Sequence, residues 1–89
     1  MQENNLDSEF DKAFKKASNI ESKLPPDVML RLYAYYKQAV KGDQFSIYND
    51  KGLRNAFKFN AWLQLKGMSP KQAKKEYIKL VDSIIDQID

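Results

Sequence analysis

Leu24-Pro25-Pro26-Asp27-Val28-Met29-Leu30-Arg31-Leu32-Tyr33-Ala34-Tyr35-Tyr36-Lys37-Gln38-Ala39-Val40-Lys41-Gly42 is the stretch on which the fold turns. Pro25 and Pro26 end whatever helix precedes them, because proline lacks the amide donor and drives its predecessor out of helical geometry. Gly42 is a good C-terminal stop. The residues between contain no breaker, so the pattern predicts a helix over 26–41. At ~100° per residue, Val28, Leu32, Tyr35 and Ala39 gather on one side. Met29, Leu30, Tyr33, Tyr36, Lys37 and Val40 gather on another. A bundle helix needs one buried stripe, and this one has a surplus. Either neighbours touch it on two sides, or one stripe packs on the bundle and the other lines a groove.

Outward from this segment the chain reads as further helices. Upstream, Phe10, Ala13, Phe14, Ala17 and Ile20 recur every three or four residues, with Lys12, Lys15, Lys16 and Asn19 off their face, which predicts a helix from about Ser8 to Ile20. Downstream, residues 43–52 read as an ordered loop with a turn at Asn49 to Gly52, and Phe45 to Tyr48 as a possible short extended piece. A third helix is expected from about Leu53 to Leu65, burying Leu53, Ala56, Phe57, Ala61, Trp62 and Leu65, and closed by Lys66-Gly67. Ser69-Pro70-Lys71-Gln72 is then a start signal, with Ser as N-cap, Pro at the first helical position and Gln three residues after the cap. The last helix, about Pro70 to Ile88, carries Ala73, Tyr77, Leu80, Ile84 and Ile88, with Ile78, Val81 and Ile85 beside them. No sustained alternation of β-branched residues competes. The expectation is an all-α fold of four helices in one domain over 1–89, with 1–7 as a flexible N-terminal extension.

Composition narrows the function. The 89 residues are 43% hydrophobic and 30% charged, a globular mixture. Only roughly 60% of the unfolded chain's surface can be buried at such a size, so the core is expected to be modest. Without cysteine there is neither a disulfide framework nor a thiolate nucleophile or zinc site. Without histidine the commonest general base and metal ligand are missing as well. Asp27, Glu76 and the other acids form no recognisable catalytic pair. The reading is therefore a non-enzyme without metal or cofactor.

No stretch approaches the ~18 apolar residues of a membrane span. The polar, acidic start Met1-Gln-Glu-Asn-Asn-Leu-Asp does not read as a signal peptide. These features lead us to expect a cytoplasmic location. The net charge of +3 and the pI of about 9.1 admit an anionic ligand but fall short of a dense DNA-binding stripe.

Chemistry concentrates on the second stripe of the helix over 26–41. Tyr33, Tyr36 and Lys37 stand at i, i+3 and i+4, so two phenols and an ammonium share one patch. Tyrosine offers a stacking face and a hydroxyl, and lysine a point charge for phosphate. Met29 and Leu30, about a turn earlier, continue the patch as an apolar slot. The plainer reading is two half-buried core tyrosines with Lys37 in solvent. In the third helix Arg54 and Lys58 share a face. The last helix opens on Lys71, Lys74 and Lys75 and ends on Asp82, Asp86 and Asp89. That opposes the helix macrodipole and enriches positive charge near Tyr77.

These residues also fall into spaced motifs. Tyr33-Ala34-Tyr35-Tyr36-Lys37-Gln38-Ala39 followed by Gly42-Asp43 resembles the "YxxYKQAxxGD" pattern of acyl-CoA-binding proteins. Lys58-Phe59-Asn60-Ala61-Trp62 resembles that family's "KWxAW", Leu65-Lys66-Gly67-Met68-Ser69 its "LKGxS", and Ala73 with Tyr77-Ile78 its "AxxxYI". Phe10-Asp11 matches its opening helix. The likeness runs from about Phe10 to Ile85.

The resemblance implies an up-down-down-up four-helix bundle, acting as a cytoplasmic monomer that binds medium- to long-chain acyl-CoA one to one. It implies transport and buffering of that ligand, without turnover, nucleic acid or stable membrane insertion. By that analogy Tyr33, Tyr36 and Lys37 hold the adenosine 3′-phosphate and adenine. Lys58 reaches phosphate, Arg54 replaces a common lysine, Tyr77 closes the nucleotide site, and Met29 and Leu30 touch the acyl chain. Three departures bear on the site. Ser18 stands where the family often has lysine, leaving that phosphate contact to Lys15 or another neighbour. Phe14 and Phe57 replace small residues and are expected to narrow the acyl groove. The loop after Asp43 lacks the family's common Pro-Gly. The rival readings are a helical protein-interaction module and a small nucleic-acid-binding domain.

Overall fold

The computed structural model describes residues 2–45 and 53–88, with the side chains of all of these except 2–4 and 53–55. The described residues form four helices and no strand: α1 (Gln2–Ser18), α2 (Pro26–Lys41), α3 (Leu53–Leu63) and α4 (Pro70–Ile88). The expected turn at Asn49 to Gly52 and the extended piece beyond Phe45 lie outside the described residues.

Two of the four helices have the expected bounds. α2 runs from Pro26 to Lys41, where Gly42 takes φ 60° and returns its N–H to the Gln38 carbonyl at 2.9 Å. A β-carbon at Gly42 would make only an ordinary 3.6 Å contact with Pro70, so glycine is required there by the positive φ rather than by space. α4 begins at Pro70 because the Ser69 hydroxyl accepts the Gln72 amide at 3.0 Å. The reciprocal half of the capping box does not form, because the Gln72 side chain donates forward to Glu76 at 2.7 Å.

The other two differ. α1 starts at Gln2 rather than near Ser8 and stops at Ser18, whose hydroxyl donates back to the Phe14 carbonyl at 2.9 Å. α3 stops two residues early, at Leu63. The chain there tightens into i to i+3 bonds, with Leu65 N–H donating to Trp62 at 2.9 Å and Lys66 N–H to Leu63 at 3.1 Å.

Pairs of contacts give the topology. Asp7 meets Lys74 and Phe10 meets Tyr77, so α1 and α4 run parallel. Lys58 lies over Tyr33 and Trp62 bonds Gln38, so α2 and α3 run parallel. Tyr36 lies by Tyr77 and Gln38 bonds the Met68 carbonyl, so α2 is antiparallel to α4. The result is up-down-down-up, with α2 packed on both α3 and α4, and α1 on α4. Lys74, placed against its own helix dipole, is held by Asp7 of α1 at 2.6 Å.

Phe10, Ala13, Ala39, Ala73, Tyr77 and Val81 form the core, flanked by half-buried Ala17, Leu32, Tyr35, Tyr36, Met68, Ile78 and Ile85. Small side chains at Ala13, Ala39 and Ala73 let the helices approach closely. Several expected core positions are not buried: Ala56, Phe57 and Ile88 are exposed, and Phe14 is 43% exposed. Among the described side chains of α3 the buried one is Trp62, and the Leu53 side chain lies outside the described residues.

A polar knot joins three segments. Gln38 is fully buried, and its amide nitrogen donates to Asp43 Oδ1 at 2.8 Å and to the Met68 carbonyl at 2.7 Å. Its amide oxygen accepts from the Trp62 indole at 3.0 Å, and that indole also reaches the Gly42 carbonyl at 3.2 Å. Asp43 in turn accepts the Gly67 N–H at 3.0 Å, in a turn where Gly67 has φ 94°. Hydrogen bonds from Gln38 and Gly67, with Lys66 nearby, hold the Asp43 carboxyl below its usual range.

Replacing Gln38 by Ala removes three bonds at once and takes a donor from the half-buried Met68 carbonyl. We expect it to cost about 2–3 kcal/mol in urea unfolding. A change below about 0.5 kcal/mol would show that the knot contributes little.

Candidate functional site

The surplus apolar stripe of α2 is only partly used by the bundle. Ala34, Gln38 and Ala39 are buried, and Leu32 and Tyr35 pack on the core. The adjoining side borders a cleft of about 590 Å³ that opens between the end of α1, the α1–α2 connection and α2. From α1 and the connection it is lined by Phe14, Ala17, Ser18, Ile20, Ser22, Lys23 and Leu24. From α2 come Met29, Leu32, Tyr33 and Tyr36, and from α4 Tyr77. The walls are mostly aliphatic or aromatic, as in a small-molecule site.

One end of the cleft is aromatic. Tyr36 stacks with Phe14 at 5.1 Å and with Phe10 at 5.8 Å between ring centres. Tyr77 tilts against Phe10 at 5.1 Å and Tyr36 at 6.1 Å. Burial, with the neighbouring Tyr36, pushes the Tyr77 phenol up to about 12.

Beside it is a cationic corner. The Lys37 ammonium lies 5.9 Å from the Tyr33 ring centre and 5.2 Å from the Trp62 ring, and the Lys58 ammonium lies 5.4 Å from the same Tyr33 ring. Each aromatic face attracts a cation, but two ammonium groups over one ring repel each other. Among the described residues neither has a carboxylate within ion-pair distance. The corner therefore favours an anion, which would offset that repulsion.

The structure brings together most residues singled out from sequence. Phe14, Ser18, Met29, Tyr33, Tyr36 and Tyr77 line the cleft, and Lys37 and Lys58 meet at Tyr33. Leu30 is half-buried and is not among the cleft's walls, and Phe57, 53% exposed, is not either. The Arg54 side chain lies outside the described residues. The Ser18 hydroxyl is occupied by its own helix, and the lysine that lines the cleft is Lys23 rather than Lys15. Lys23, Ser22 and Leu24 come from a connection without helical periodicity, so no spacing announced them. Leu32, on the stripe with Val28, Tyr35 and Ala39, serves both core and cleft.

Residues 7–81 match the family model described as "Acyl CoA binding protein". The chain belongs to the acyl-CoA-binding protein family. A relative from Saccharomyces cerevisiae named "Acyl-CoA-binding protein" is 40% identical over 82 residues, covering 85% of this chain and 88% of the relative. An "Acyl-CoA-binding protein homolog" from Manduca sexta is 37% identical over 83 residues, covering 90% and 91%. The crystal structure of Oryza sativa Acyl-CoA-Binding Protein 2 superposes with a TM-score of 0.84 at 27% identity, covering 98% of this chain and 96% of that one. The four-helix bundle expected from sequence is thus the fold of this family. No helix among the described residues is long and apolar enough to cross a membrane.

The raised Tyr77 phenol has a direct readout. Its protonated form is favoured by folding, so its contribution to stability is whole below about pH 10 and is lost as pH rises towards about 12. In an absorbance titration of tyrosinate, the step removed by Tyr77→Phe should centre near 12; a lost step centred near 10 contradicts the burial argument.

Proposed function

We propose that this chain binds medium- to long-chain acyl-CoA thioesters one to one, without chemical turnover, and carries and buffers them as a cytoplasmic monomer. The observation that carries this reading is the meeting at Tyr33 of two ammonium groups that have no carboxylate partner among the described residues, Tyr33 also lining a largely apolar cleft. Such a site suits a molecule with a phosphate at one end and a hydrocarbon tail at the other. Family membership supports the same ligand.

In this reading Lys37 and Lys58 take the 3′-phosphate through charge-assisted bonds. Tyr33 and Tyr36 receive the adenine and its sugar phosphate, and Tyr77 closes that end from α4. Arg54 adds positive charge from the start of α3. Met29 receives the acyl chain at the cleft's aliphatic wall, with Leu30 supporting the same turn of α2. Ser18 shapes the end of α1 rather than holding phosphate. Phe57 stays outside the acyl path.

The binding free energy then has two separable parts. Each methylene that enters the cleft contributes up to roughly 0.8 kcal/mol, or about fourfold in affinity. The charged end adds a salt-sensitive part. Titration calorimetry with CoA esters of graded length should show affinity climbing with length to a plateau. Free CoA and free palmitate should each bind far more weakly than palmitoyl-CoA. Equal affinity for palmitate and palmitoyl-CoA would refute the account. Lys37→Ala should weaken palmitoyl-CoA binding at least tenfold, the low end of what one charged hydrogen bond contributes, while helicity is unchanged. Unchanged affinity would remove Lys37 from the site.

A further inference from the structure

Phe14 is a large apolar side chain left 43% exposed, on the wall of the cleft. Its neighbours in the aromatic cluster are far better covered, with Phe10 8% and Tyr77 3% exposed. The rings therefore form a row from core to cleft, in which Phe10 and Phe14 both stack on Tyr36, at 17° and 28° between planes, and Phe14 is its open end. The backbone beneath it is fixed, because the Phe14 carbonyl accepts the Ser18 hydroxyl at 2.9 Å in the last turn of α1.

An open ring at the end of a stack is a platform for another flat group. Aromatic rings gain from offset stacking beyond the area they cover, and every nucleobase has such a face. The cationic corner at Tyr33 lies one helical turn from Tyr36 on the same side of α2, within the span of a nucleoside that carries a phosphate on its sugar. The ring's stacked partners also place it at the aromatic end of the cleft rather than along the aliphatic wall. That position is nearer the cationic corner than a ring set along the acyl groove, which the sequence expects Phe14 to narrow.

The geometry points to Phe14 as a stacking platform for the adenine of the ligand, a specificity element that selects the nucleotide-bearing ester over the same ester without its nucleotide. This rests on the acyl-CoA reading above and adds a residue to it.

The test compares dodecanoyl-CoA with S-dodecanoyl-pantetheine, which keeps the thioester and tail but lacks the nucleotide. Wild type, Phe14→Leu, Phe14→Ala and Phe14→Trp are titrated with both, and thermal unfolding confirms that each variant is folded. Leu keeps the apolar bulk without the π-face. Phe14→Leu and Phe14→Ala should lose about 5- to 150-fold in affinity for dodecanoyl-CoA, the range measured for base–aromatic stacking. Both should bind the pantetheine ester within twofold of wild type, and Phe14→Trp should hold or improve binding of the CoA ester. Two results overturn the platform: Ala and Leu variants that bind dodecanoyl-CoA as well as or better than wild type, which makes the ring a plug, or equal losses for both ligands, which places the ring against the tail. If wild type itself fails to prefer dodecanoyl-CoA over the pantetheine ester, the acyl-CoA reading falls and the platform with it. A wild-type preference left intact by Phe14→Leu sinks the platform alone.

Discussion

Three segments of this chain converge on one carboxamide. Gln38 has no exposure to water, so its two donors and its acceptor must all be met by protein. They are met by Asp43 after α2, by the Met68 carbonyl before α4, and by the Trp62 indole on α3. Each partner comes from a different place in the sequence. The arrangement therefore sets the axial position of α3 and the start of α4 against α2. Apolar contacts such as those of Ala39, Ala73 and Val81 are non-directional and tolerate small axial shifts; a buried amide with three fixed partners does not, because any shift strands a polar group.

That fixed register is what makes the cationic corner. With Trp62 locked to Gln38, the residue one turn earlier on α3 is Lys58, and the residue beside Gln38 on α2 is Lys37. Both ammonium groups are thereby delivered to the ring of Tyr33. Two cations at one aromatic ring would not gather by their own attraction. Packing energy elsewhere holds them together, and the local repulsion is available to be relieved by an anionic ligand. The family motif over 33–43 accordingly divides into two jobs. Tyr33 and Tyr36 line the cleft and Lys37 lies over the Tyr33 ring, whereas Gln38, Gly42 and Asp43 make the knot that holds this part of α2 in place.

How far the sequence disclosed this follows from the kind of signal each part carries. The bounds of α2 and α4 were legible because Pro26, Gly42, Ser69 and Pro70 act through local backbone chemistry. Tyr33, Tyr36 and Lys37 were legible because helical spacing alone puts them on one face. The knot was not, since Gln38 looks like any surface glutamine until a tryptophan 24 residues later comes to rest on it. Nor were the exposures of Phe14 and Phe57, because a periodic pattern marks a stripe but not where the neighbouring helix ends. Lys74 shows the same limit from the electrostatic side. It opposes its own helix dipole, and its partner Asp7 sits 67 positions away.

The central claim is that the α2–α3 register, fixed at Gln38, makes the Tyr33 corner and its cleft the place where ligand binds. Amide chemical-shift mapping during titration with palmitoyl-CoA tests it most directly. The account predicts the largest perturbations at Phe14, Met29, Tyr33, Tyr36, Lys37, Lys58 and Tyr77, with little change at Asp82 and Asp86 on the outer part of α4. Saturating binding with its largest shifts around Asp82 and Asp86, and a silent Tyr33 corner, would contradict it.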